Sequence, residues 1–142
     1  MNAILDPCLR IAGAGLVLLA ILHAPMARRL RWREEAARMS EFNAMVFRVH
    51  NFFICVVLVG MGLPCLIEPA VLLERSRAGA WGAWSLCVFW AARLYCQHCV
   101  YPSSAWRDRR LETVLHWWCT LVWTFLTALF GVCAARQVAW IG

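Results

Sequence analysis

Apolar residues fall into four long runs along the 142-residue chain, and charged residues gather almost entirely between them. The runs cover residues 8–24, 46–67, 80–96 and 113–135. As helices rising about 1.5 Å per residue, they approach or exceed the roughly 30 Å thickness of a hydrocarbon core. Breakers or charges bound them: Pro7 and Pro25, Pro64 and Pro69, Gly79, Pro102 and Arg136. A barrel would alternate apolar and polar positions, and these runs do not. The pattern predicts an all-α integral membrane protein: a four-helix bundle forming a single transmembrane domain over residues 1–142.

The segments between the runs differ in charge. The first carries Arg28, Arg29, Arg31, Arg33 and Arg38 against Glu34, Glu35 and Glu41. The third carries Arg107, Arg109 and Arg110 against Asp108 and Glu112, whereas in the second Arg75 and Arg77 are balanced by Glu68 and Glu74. Cytoplasmic loops carry the excess of basic residues, so the first and third connections are expected inside and both termini outside a bacterial-type cytoplasmic (inner) membrane. A cleaved signal peptide would place its basic cluster before the apolar run, not after it, so the first run is expected to remain as a span.

The first connection has a pattern of its own. Leu30, Trp32, Ala36, Met39 and Phe42 alternate with charged residues, and Arg31 with Glu35 and Glu34 with Arg38 stand four apart. That spacing places each pair on one helical surface, predicting an interfacial amphipathic helix at headgroup depth. In the third connection Ser103 or Ser104 is expected to cap an early turn of helix. Trp32, Trp81, Trp106, Trp117, Trp118 and Trp140 all fall near the ends of the runs, where indole rings favour the interface. Gly13, Gly15, Gly60, Gly62 and Gly131 are expected to let helices approach closely.

Composition strengthens the membrane reading and narrows the partners. Hydrophobic residues make up 63% of the chain and charged residues 15%, with a mean hydropathy of +0.63. Ordinary globular domains are about half apolar and about a quarter charged, so the surplus must face lipid, a membrane-protein partner or a second copy of the chain. The net charge of +6 comes from arginine alone. These arginines flank the runs and follow no nucleic-acid-binding motif, which makes anionic lipid headgroups the expected partners and excludes nucleic acid.

Candidate chemistry concentrates at the cytoplasmic ends of the runs. His23 closes the first, His50 and Asn51 open the second, Arg93 and Gln97 end the third and His116 opens the fourth. Arg93 and Gln97 share a helical face, and Glu112, His116, Thr120, Thr124 and Thr127 form a semi-polar stripe. Ionisable groups within a membrane face a neighbouring helix or a cavity and flag function. A cofactor- or ligand-binding site using His50, Arg93, Gln97 and His116 is therefore the leading expectation. Three ligand classes fit these residues: haem b on paired histidines, a divalent metal on His50, His116 and Glu112, and a quinone or lipid headgroup hydrogen-bonded by Arg93, Gln97 and a histidine.

A redox enzyme is the alternative. Cys96 and Cys99 form a C-Q-H-C pair at the end of the third run, a spacing that permits a reversible disulfide. Four spans with such a pair resemble, in outline, the membrane thiol oxidases that pass electrons from disulfides to quinone. The resemblance implies catalysis by Cys96 and Cys99, yet the positive-inside orientation puts them on the reducing side. Cys55, Cys87 and Cys119 read as packing residues at mid-span. A third reading is a non-catalytic auxiliary subunit of a membrane complex, its histidines only joining helices.

Overall fold

In a computed structural model the described residues are 2–102, 106–107 and 110–141, with side chains described as far as Gln137. Ser103, Ser104, Asp108 and Arg109, and the side chain of Trp140, lie outside them. The described residues form six helices and no strand: α1 Asn2–Arg29, α2 Trp32–Ala37, α3 Glu41–Ile67, α4 Ala70–Leu73, α5 Arg77–Cys99 and α6 Arg110–Ile141. Three of them, α1, α3 and α6, are long and apolar enough to cross a membrane. Helix α5 has 23 residues, a length of about 34 Å. Its sequence, with Arg93, Gln97 and several Gly, Ala and Trp residues, is less apolar than the other three.

The helices overrun the limits expected from the apolar runs, for local reasons. Pro7 and Pro25 lie inside α1, and Pro64 lies inside α3. In a membrane helix the freed carbonyl can be satisfied by neighbouring groups, so proline need not end the helix. Helix α3 begins at Glu41 because Ser40 caps it, its Oγ accepting from the Asn43 amide at 3.4 Å. Ser76 caps α5 in the same way, accepting from the Gly79 amide at 2.9 Å.

The amphipathic segment after α1 is shorter than its charge pattern suggested. Arg31 adopts a left-handed backbone (φ 53°) that breaks the helix, and only six residues, Trp32–Ala37, wind again. The ion pairs accordingly shift partners. Arg31 meets Glu34 at 3.6 Å and Arg38 meets Glu35 at 3.2 Å, both three residues apart and not four.

The chain divides into two compact units, residues 7–69 and residues 1–6 with 70–142. In the first, α1 and α3 run antiparallel and touch backbone to backbone. A Cβ on Gly13 would lie 2.6 Å from both the Gly62 carbonyl oxygen and the Leu66 nitrogen. One on Gly62 would lie 2.8 Å from the Gly13 carbonyl oxygen. Of the glycines expected to permit close approach, these two do so, while Gly15 and Gly60 face open space. The Arg10 guanidinium donates to the Leu66 carbonyl at 2.8 Å, satisfying one of the acceptors left over at the end of α3.

In the second unit α5 and α6 form an antiparallel hairpin joined by side chains. Trp90 stacks on Trp123 with centroids 4.9 Å apart, and both are buried. Ala83, Leu126, Phe130, Cys133 and Ala134 are buried as well. At the far end Gln137 donates to the carbonyls of Leu72 (3.1 Å) and Glu74 (2.8 Å), holding α4 and its turn against the hairpin. Gly79 makes room for this clasp, since a Cβ there would meet the Gln137 amide nitrogen at 3.0 Å and the Val71 carbonyl at 2.8 Å.

Candidate functional site

The polar residues expected to act together on the third and fourth runs meet at one end of the α5–α6 hairpin. Arg93 Nη1 donates to Gln97 Oε1 at 3.1 Å, and the Gln97 amide nitrogen stands 2.9 Å from His116 Nδ1. Gln97 and His116 are buried, and Arg93 is half-buried. Arginine carries donors only, so Gln97 must turn its oxygen to Arg93 and its amide N–H to the histidine. His116 Nδ1 is therefore an acceptor, and the neutral ring carries its proton on Nε2.

Aromatic rings enclose this relay. Trp106 lies face to face with His116, centroids 4.2 Å apart and planes inclined by 11°. The Thr113 hydroxyl holds the Trp106 carbonyl at 2.7 Å and so anchors the segment that carries the ring. The Arg93 guanidinium carbon sits 5.2 Å from the Trp123 ring and 5.6 Å from the Tyr101 ring, within the range of cation–π attraction. His98 lies edge-on to His116 at 6.3 Å. Arg93 is thus held within the hairpin and does not rely on headgroups for partners.

Buried hydrogen-bond donors go unmet beside this relay. The indole N–H groups of Trp90, Trp106 and Trp123 are all buried without a partner. The Gln97 carbonyl oxygen accepts from Arg93 and from none of these indoles. Thr120, Thr124 and Thr127 each donate to the carbonyl four residues earlier in their own helix, and none of their oxygens accepts from these indoles.

Other expected site residues take no part in the hydrogen bonds of this relay. His50 belongs to the 7–69 unit, where it is exposed on α3. Glu112 is half-buried in the first turn of α6. Among the described residues no three His, Cys, Asp or Glu side chains gather as a metal site. Cys96 and Cys99 are free thiols in the last turn of α5, the end of a helix where its dipole favours cations.

Sequence reasoning found Arg93, Gln97 and His116 through their polarity but missed the rings around them. It assigned Trp32 and Trp106 to the interface with the other tryptophans. Trp81, Trp117 and Trp118 are exposed, Trp106 covers His116, and Trp32 packs edge-on to His23 and Phe47. A tryptophan between two helices, close in sequence to an inward histidine, was the available signal. No protein-family model, curated protein or solved structure matches this chain.

Proposed function

We propose that this is a four-span protein of a bacterial-type cytoplasmic membrane that binds a lipid-soluble ligand of the quinone class at Arg93, Gln97 and His116. The unmet indole N–H donors of Trp90, Trp106 and Trp123 beside that relay carry the reading. Unsatisfied buried donors are rare in folded proteins and call for an acceptor. Quinone carbonyl oxygens are acceptors that reach such a site through lipid. His116 Nε2–H and the Arg93 guanidinium supply donors of suitable polarity, and the flat Trp106, Trp123 and Tyr101 rings suit a planar ligand. Metal or haem ligation fits less well, because an imidazole ligand needs an unprotonated nitrogen and His116 already spends its own on Gln97.

Helix α5 serves as the remaining span. Its exposed face carries Trp81, Trp84, Val88, Phe89 and Tyr95, a lipid-compatible surface, while Gln97 is buried. Polar groups that turn toward a neighbouring helix lower the mean apolarity of a span without exposing charge to lipid. The arginine-rich connections lie inside, both termini lie outside, and α2 rests at headgroup depth.

The test is purification of the full chain in detergent, followed by solvent extraction and titration with a short-chain quinone, read by tryptophan fluorescence. Saturable quenching at about one quinone per chain, weakened at least tenfold in His116→Phe and in Arg93→Gln, is expected. A Soret band in the purified protein that His116→Phe abolishes would replace quinone with haem. Quenching unchanged in both variants would remove this site from the function.

A further inference from the structure

The 7–69 unit contains a cavity whose chemistry differs from that of the Arg93 relay. It has a volume of about 550 Å³ and lies among the end of α1, the short helix α2 and the start of α3. That volume falls within the roughly 300–1,000 Å³ of small-molecule sites. Six alanines, with Trp32 and Phe47, provide apolar walls, and the polar lining comprises His23, Arg33, Arg48 and Asn51.

Charge and hydrogen-bond polarity select the occupant. No Asp or Glu lines the cavity. Glu34 pairs with Arg31 and Glu35 with Arg38, and among the described residues no carboxylate pairs with Arg33 or Arg48. Two cations thus border an apolar chamber that has no carboxylate in its lining. His23 adds an acceptor. Its Nδ1 lies 2.8 Å from the Leu19 carbonyl, which can only accept, so Nδ1 carries a proton and the neutral ring has its lone pair on Nε2. An anionic head bearing hydroxyl groups, attached to an acyl chain, matches all three features: phosphate for the arginines, a hydroxyl donor for His23 and a chain for the alanine walls.

We infer that this cavity is a specific site for one anionic glycerophospholipid, with Arg33 and Arg48 holding the phosphate and the acyl chain seated among the alanines. The alanines make the chamber, because larger residues at those positions would fill the space between the helices. The site uses none of the residues of the Arg93 relay, so His116→Phe leaves it unchanged and its failure is separable from failure of the quinone reading.

Native mass spectrometry of the full chain in detergent, with phosphatidylglycerol or phosphatidylcholine of identical chains, tests the assignment. The first phosphatidylglycerol is expected to bind at least tenfold more tightly than the first phosphatidylcholine. Arg33→Gln with Arg48→Gln should reduce it to the phosphatidylcholine level. Ala24→Trp, which fills the chamber and keeps both charges, should do the same, each variant retaining wild-type helicity by circular dichroism. Equal binding of the two lipids, or phosphatidylglycerol preference surviving in either variant, would overturn the site. Displacement by millimolar inorganic phosphate would show a free-anion site and overturn the lipid assignment.

Discussion

The two helix pairs, α1 with α3 and α5 with α6, solve the same packing problem by opposite means. Between α1 and α3 the side chains are removed: Gly13 and Gly62 bring one backbone against the other. Between α5 and α6 they are enlarged and made polar, with stacked Trp90 and Trp123 in the middle and the Gln97–His116 contact at one end, while at the other Gln137 ties α6 to α4 and its turn. In lipid, helix association relies on close van der Waals packing and on interhelical hydrogen bonds, and each pair leans on one of these. The difference predicts where each pair will break. A backbone contact fails by steric intrusion, whereas a side-chain contact fails by deletion.

The largest effect should come from the glycine contact. Gly13→Leu forces a side chain into the α3 backbone, and overpacking of this kind costs about 1–3 kcal/mol or more. Gly15→Ala is its control, because nothing lies within 4 Å of a Cβ there. Unfolding by denaturing detergent should show a large loss for the first and none for the second. Similar losses in both would remove the distinction between contact and open glycines.

Deleting a polar contact should cost less. Gln97→Leu removes the link between Arg93 and His116, and interhelical hydrogen bonds in membranes average about 0.6 kcal/mol with a maximum near 1.7. A loss of about 1 kcal/mol is expected in the same unfolding assay. A smaller loss still should follow Gln137→Leu, because its Oε1 is already unpaired and only the two amide bonds to the Leu72 and Glu74 carbonyls disappear. A Gln137→Leu effect larger than that of Gln97→Leu would show that α4 docking, and not the Arg93 relay, dominates this hairpin.

The sequence made the helical, membrane-type character legible because lipid imposes a length and an apolarity that show in any window. It made Arg93, Gln97 and His116 legible because polar residues are scarce inside such runs. The kink at Arg31 was hidden, since a charge pattern spaced for a continuous helix carries no sign of a left-handed residue within it. Gln137 was hidden because it follows Arg136, at which the apolar run ends, though the helix continues beyond it. The choice among glycines also lay beyond sequence reasoning. Gly13 and Gly15 are neighbours in the same run, and only the facing helix distinguishes them.

The central claim is that His116, fixed by Gln97 as an Nε2–H donor, meets an acceptor ligand. Nitrogen-15 spectroscopy of histidine-labelled protein in lipid, with His116 assigned by the His116→Phe spectrum, tests it directly. His116 is expected to appear as the neutral Nε2–H tautomer, and a short-chain quinone should shift its Nε2 resonance while leaving His23 unmoved. A His116 ring protonated at Nδ1, or an Nε2 resonance indifferent to quinone at saturating concentration, would contradict the account.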